Sequence, residues 1–352
     1  MEQRKTIMEK ITDRVIYGND TSWNMDIERF DWGPGVGLYG IWKAWQATGK
    51  EEYLRFLEKW INRHLKEAYV QKTVNSTAPL LTVLTMWEQE GNEAWLRVCE
   101  EIAAFLLEKA PRTKDGGLEH TVTEAGAGFS QQMWADTLFM VCVFMARLGR
   151  VTGDLRYIAF SRRQLADHLR VLRDEETGLY FHAWDCAGQN HMSGVRWGRA
   201  NAWILYSTAL ILSAIEGTEQ EWRQFAQSAA AMRAVQREHG AFGTILNDPS
   251  SYDEISATAG IAAGMALGRS CGVLGREYDL SIEKALQAVS AAVGENGEVG
   301  GVSGGTPVMP SAEAYRTIRI QPTLYGQGLA AAALAEAGRG KTENAPQSSA
   351  VR

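Results

Sequence analysis

Apolar residues recur at three- and four-residue spacing along most of the chain, as in Leu138, Val141, Cys142, Met145 and Leu148, or Ile204, Ala209, Leu212 and Ile215. Strand-like alternation is short and scarce, so the pattern predicts a mainly helical protein. One phrase repeats: an apolar helix, a Gly, a few polar residues, an aromatic, and a second, amphipathic helix. Its copies read Thr48-Gly49-Lys50-Glu51-Glu52-Tyr53, Glu90-Gly91-Asn92-Glu93-Ala94-Trp95 and Thr152-Gly153-Asp154-Leu155-Arg156-Tyr157. Looser copies begin at Gly217, leading to Trp222, and at Gly275, leading to Tyr278. Each Gly is expected as a left-handed helix C-cap, and each aromatic as the first buried position of the following helix.

Upstream of these turns lie apolar helices rich in small residues, predicted at 35–47, 78–87, 134–148, 198–214 and 256–267, with a sixth at 325–337. Six apolar helices, each with a more charged partner, predict an inner and an outer ring: an all-α (α/α)6 barrel of six helical hairpins, built as one domain by residues 1–338. Residues 339–352 lose the periodicity and are expected to form a disordered tail. The connections at the other end of the hairpins are longer and Gly-rich, for example Asp115-Gly116-Gly117 and Thr177-Gly178-Leu179, and function is expected on that face.

Composition narrows the partners. Thirty-six basic residues against 42 acidic ones leave a net charge of −6, and no Lys/Arg block occurs, which argues against nucleic acid. No stretch has the length and apolarity of a signal peptide or a membrane span. The four cysteines are far apart and form no Cys-x-x-Cys pair, so neither a disulfide framework nor a thiolate zinc site is signalled. A cytoplasmic protein acting on a small molecule, with no membrane or nucleic-acid partner, is the expectation; nothing in the sequence speaks to oligomeric state. Twelve Trp are many for this length, and Trp beside solvent stacks on flat ligand faces, although core packing is its ordinary use.

Polar residues gather where the inner helices begin: Asp136 in Trp134-Ala135-Asp136, and Arg199 with Asn201 in Trp197-Gly198-Arg199-Ala200-Asn201-Ala202-Trp203. Asp136 reads either as a site carboxylate or as a first-turn Asp answering the helix dipole, and Arg199 either as a ligand-binding cation or as half of a structural ion pair. Trp197 and Trp203 read by default as core. His120 and His182 are two of six histidines and both sit on Gly-rich loops. Gly301-Val302-Ser303-Gly304-Gly305 has the spacing of a nucleophile elbow but lacks the apolar strand that should precede it. No metal or dinucleotide motif is present.

The words Trp134-Ala135-Asp136-Thr137-Leu138-Phe139-Met140, His182-Ala183-Trp184-Asp185 and Trp197-Gly198-Arg199-Ala200-Asn201-Ala202-Trp203, in this order, resemble the unsaturated glycuronyl and rhamnogalacturonyl hydrolases of glycoside hydrolase families 105 and 88. The resemblance extends over 31–336, with Asp31-Trp32-Gly33-Pro34-Gly35 similar to the start of the family's first inner helix. It implies a hydrolase that removes a 4,5-unsaturated uronic acid from the non-reducing end of oligosaccharides left by a polysaccharide lyase, a rhamnogalacturonan disaccharide being the favoured substrate. By motif position Asp136 would be the acid/base, with Asn75, His120, Trp134, His182, Trp197, Arg199 and Trp203 lining the subsite. Neither a cofactor nor a metal is implied, because protonating a vinyl ether at carbon needs a single acid.

One departure carries weight. Many relatives have an Asp at the start of the second inner helix where this chain has Asn75. A second carboxylate would raise the acid's pKa by like-charge repulsion, and Asn75 does not. Asp136 then needs an upward shift from burial against Trp134 and Trp197, or the pH optimum falls lower, or Asp26 or Asp31 substitutes. Two other readings stand beside hydrolysis: a sugar-binding relative without turnover, and another reaction on the same barrel, such as epimerisation.

Overall fold

The computed structural model describes residues 2–18, 23 and 26–338. The expected tail, 339–352, lies outside the described residues. In chain order the elements are α1 (Glu2–Tyr17), α2 (Trp32–Thr48), α3 (Glu51–His64), α4 (Val74–Glu90), α5 (Glu93–Glu108), β1 (Gln132–Trp134), α6 (Val143–Thr152), α7 (Leu155–Leu172), β2 (Ala183–Asp185), α8 (Gly198–Ile215), α9 (Glu219–Ala234), α10 (Ile255–Ser270), α11 (Asp279–Ala291), α12 (Ala312–Arg316) and α13 (Leu324–Gly338). Around the axis α2 packs on α4, α4 on α6, α6 on α8, α8 on α10, α10 on α13 and α13 back on α2, so the ring closes. Outside it run α3, α5, α7, α9 and α11, each against the inner helix it follows, while α1 packs on α13 and α2. This is the (α/α)6 barrel, and the first helix of the chain completes its outer ring beside the last.

Inner and outer helices differ as their positions require. α10 is buried without a break from Ile255 to Gly268, because neighbours surround it. α3 buries only Tyr53, Leu57, Trp60, Ile61 and His64, one stripe of an amphipathic helix. Small residues let the inner helices approach closely: Gly40 of α2 lies against Gly328 of α13, and a Cβ on either would collide with the other helix's backbone. Gly49, Gly91 and Gly153 take the expected left-handed C-caps, at φ 72°, 69° and 73°.

The looser copies differ. Glu216 takes the left-handed position after α8 at φ 53°, and Gly217 is small because a Cβ there would press on Leu212. After α10 the left-handed residue is Gly272, at φ 74°, whereas Gly275 has φ −79° and caps a short 3-10 turn. The second inner helix starts at Val74, four residues before the predicted Ala78, because Thr73 and Ser76 form a reciprocal capping box and Pro79 is accommodated inside the helix. The third does not start at Trp134. That residue is in β1, which pairs antiparallel with β2, and the helix then opens through a π-turn at Leu138–Cys142 before α6.

Candidate active site

The site assembles from loops that the β1–β2 pairing draws together. Trp134 pairs with Ala183 and Met133 with Trp184, and the Ala135 N–H donates to the His182 carbonyl at 3.0 Å. Two words nearly fifty residues apart therefore place His182 beside Asp136. The His120 N–H donates to the Gln132 carbonyl, which adds His120 to the same edge. Asn201, in the first turn of α8, brackets the next segment: its Oδ1 accepts from the Tyr180 N–H at 2.9 Å and its Nδ2 donates to the carbonyls of Tyr180 and Trp197 at 2.8 and 2.9 Å.

Side chains from these segments form a continuous aromatic wall. Trp32 stacks on Tyr325 at 4.6 Å between ring centroids, and the Arg199 guanidinium lies between Tyr325 (4.7 Å) and Trp197 (4.5 Å). Trp197 meets His182 at 4.1 Å, His182 meets Trp134 at 5.2 Å, and Trp134 stacks on His120 at 4.1 Å with parallel planes. Phe129 leans on the last two rings at the rim. Asp136 stands in the turn between β1 and the π-turn, its side chain 14% exposed, with Oδ2 3.4 Å from His182 Nε2. Neither of those two atoms has a formed hydrogen bond, and Trp197 Nε1 is also unpartnered.

The electrostatics follow from this enclosure. Burial pushes the Asp136 pKa up, but the approach of His182 and the positive potentials of His120 and Arg199 prevail, so the carboxyl titrates below its ordinary range. The upward shift expected from burial alone does not occur. Burial lowers His182, and it lowers His120 to about 4, so both imidazoles are neutral near pH 7. The approach of His182 and the charge of Arg199 thus favour the ionised form of Asp136. Asp31 behaves oppositely: burial raises its pKa, yet the carboxylate is occupied as the N-cap of α2 and by the Thr123 hydroxyl at 2.7 Å. Asp26 is exposed and accepts from the Glu28 N–H.

Asn75 is buried in the first turn of α4, where its N–H donates to the Thr121 carbonyl, next to His120. Pro79 has no N–H to offer the Asn75 carbonyl one turn earlier, which leaves that oxygen without its helical donor. Arg199 and Trp203 are both buried, as are the wall residues Trp197 and His182. Arg199 is 1% exposed, and its two Nη atoms donate to Ser256 Oγ, Ser303 O and Oγ, Gly304 O and Thr306 Oγ1 at 2.7–3.3 Å. Glu254, the buried N-cap of α10, lies 3.6 Å away as its counter-ion. Arg199 thus ties loop 303–306 to the barrel, and Ser303, held by both Arg199 and Glu254, is not an exposed nucleophile. Trp203 is fully buried and packs on Phe139 at 5.0 Å, beneath the site.

Sequence reasoning missed Tyr315, Tyr325 and Phe129 as parts of this site. Nothing periodic marks them: Tyr315 lies in the five-residue α12, Phe129 comes from an irregular connection, and Tyr325 looks like any first-turn aromatic.

A closed barrel of helical hairpins whose mouth holds the Asp136 carboxyl beside His182 within an aromatic wall is the setting of a carbohydrate-processing enzyme of the glycoside hydrolase class. The chain belongs to glycosyl hydrolase family 88, whose profile matches residues 7–341. It is 39% identical over 338 residues, covering 93% of this chain and 95% of the relative, to the unsaturated rhamnogalacturonyl hydrolase YesR of Bacillus subtilis (strain 168). A possible GH105 family member from Salmonella enterica serovar Paratyphi A superposes with a TM-score of 0.90 at 29% identity, covering 96% of this chain and 93% of that one. The unsaturated glucuronyl hydrolase of Bacillus sp. GL1, at 18% identity and a TM-score of 0.76 over 95% of each chain, shares the fold.

Proposed function

We propose that the protein removes a 4,5-unsaturated uronic acid from the non-reducing end of lyase-generated oligosaccharides, with a rhamnose-linked product of rhamnogalacturonan, and hence pectin breakdown, as its substrate class. The observation that carries this reading is the enclosed carboxyl of Asp136 beside His182, which no formed hydrogen bond occupies at Oδ2. Protonated Asp136 delivers its proton to C4 of the vinyl ether, and positive charge develops at C5 and the ring oxygen. The Asp136 carboxylate then takes a proton from water as that water adds at C5, and the hemiketal opens to release the aglycone. One group acts first as acid and then as base, unlike the usual pair of glycosidase carboxylates. The half-buried Trp32 ring offers a stacking face, and the enclosed rings of Trp134 and Trp197 exclude water. Asn75 and His120 line the same cup in this reading. Four unpaired cysteines, three of them buried, support a place in the reducing cytoplasm.

Turnover is read as loss of the ultraviolet absorbance of the conjugated alkene. Asp136→Asn is expected to reduce kcat by about a thousandfold or more while the fold is retained. An Asp136→Asn variant of near-normal activity overturns the mechanism. Calorimetric binding of unsaturated disaccharides by the wild type without turnover overturns the hydrolase reading in favour of a binding protein.

A further inference from the structure

We propose that Tyr315 is a positioning residue that sets which ring nitrogen of His182 carries the proton, so that Nε2–H and not a lone pair faces Asp136; its catalytic consequence rests on the acid/base reading of Asp136 above. Tyr315 is fully buried in the five-residue helix α12, and its phenol oxygen lies 2.8 Å from His182 Nδ1. The backbone N–H of Met309 donates to that same oxygen at 3.3 Å. The Ser193 hydroxyl is close by but forms no hydrogen bond with it.

A phenol has one proton to give. With the Met309 N–H already on its oxygen, that proton has His182 Nδ1 at 2.8 Å as its acceptor. The reverse arrangement, Nδ1–H donating to Tyr315, would leave a buried O–H with only the Ser193 hydroxyl to turn to, and no hydrogen bond to Ser193 is formed. Burial pushes the Tyr315 pKa up to about 12, so the proton is present throughout the working range. Nδ1 is therefore the acceptor and Nε2 the donor.

The other groups facing His182 leave this assignment intact. Trp197 and Trp134 hold the imidazole by their ring faces and offer it no acceptor. Arg199 and His120, the nearby basic groups, act at longer range. That leaves Asp136 Oδ2, 3.4 Å from Nε2. A neutral imidazole locked in this form donates to the Asp136 carboxylate at the stage where Asp136 has given up its proton and must draw one from water. In the other tautomer two lone pairs would oppose each other there. Tyr315→Phe keeps the ring that packs near Trp197, and α12 keeps its Ser311 cap and the Arg316–Asp248 ion pair, so the change removes one hydroxyl.

The test is the long-range proton–nitrogen NMR spectrum of the 15N-labelled free protein, with the His182 signals among six histidines assigned by their loss in His182→Gln. The expected pattern is Nε2–H with bare Nδ1 in the wild type. It should become a tautomer mixture or Nδ1–H in Tyr315→Phe, with kcat lowered about tenfold or more and KM within about twofold. Nδ1–H in the wild type, or an unchanged spectrum and kcat in Tyr315→Phe, overturns the proposal. The wild-type spectrum decides even where the variant fails to fold. Because it is recorded without substrate, it also stands apart from the activity measurement on which the hydrolase reading depends.

Discussion

In the proposed mechanism Asp136 must hold a proton long enough to give it away, yet its surroundings favour the ionised form. The approach of His182 and the charges around it, Arg199 among them, more than offset the burial penalty. The sign of the pH dependence follows. With a pKa below the ordinary carboxylate value, the reactive protonated fraction of the free enzyme grows as pH falls, so kcat/KM should rise about tenfold per unit from about pH 8 towards pH 5. Near pH 4 His120 takes up a proton, adds a positive charge beside Asp136, and the profile should turn down. A profile of kcat/KM with its maximum above neutrality is incompatible with this account. Asn75 supplies the complementary experiment. If it faces Asp136 as the family resemblance implies, Asn75→Asp adds a like charge, raises the Asp136 pKa and shifts the falling limb upward by about one pH unit. An unmoved limb would mean that position 75 does not face the acid.

At the scale of elements, the site depends on two short strands and a π-turn more than on any long helix. β1 and β2 make few hydrogen bonds, but their register decides that His182, and not its neighbour, meets Asp136. π-turns are uncommon and recur at functional sites, and this one directly follows the acid. Deeper in the barrel the inner helices enclose a charged pair: Lys43 of α2 and Glu336 of α13 form a buried ion pair, and the Tyr206 hydroxyl donates to the same Glu336 oxygen at 2.9 Å. Removing one partner strands a buried charge. Lys43→Met alone should cost about 3 kcal/mol in denaturant unfolding, and the double change Lys43→Met with Glu336→Leu should recover most of it. Equal loss in single and double variants would show that the pair itself contributes the stability. Gly328→Ala should also destabilise, since its Cβ would meet the α2 backbone where the two helices touch.

For the whole molecule, buried histidines link stability to pH. His168 is fully buried on α7, with Nδ1–H donating to the Gln164 carbonyl at 2.8 Å and no partner at Nε2. Burial lowers the pKa of His168, and likewise that of His120, to about 4. A folded-state pKa below the unfolded value near 6.5 means that the unfolded chain binds protons first, so stability is lost as pH falls from about 6.5 to 4. Each histidine should account for about 2 kcal/mol between pH 6.5 and pH 5. Urea unfolding at the two pH values measures the loss. In His168→Gln it should shrink by that histidine's share, and a loss of the same size would remove His168 from the account.

The helical periodicity was enough to read the hairpins, their inner and outer roles and the closed ring, because burial on all sides or on one stripe is written directly into spacing. The Trp134-Ala135-Asp136 and His182-Ala183-Trp184-Asp185 words made the acid and its histidine legible. Their adjacency was not, since it depends on strand pairing between distant loops. Arg199 shows the same limit: the sequence allowed a ligand-binding cation or a structural one, and only the surrounding Glu254, Ser303 and Thr306 tie it to loop 303–306. Tyr315 carries no sequence signal because its position is set by a loop folding back over the mouth. Local periodicity thus determined the architecture. The direction of each pKa, the partner of each buried polar atom and the aromatic wall around the cup were decided by tertiary structure, because they depend on contacts between residues far apart in the chain.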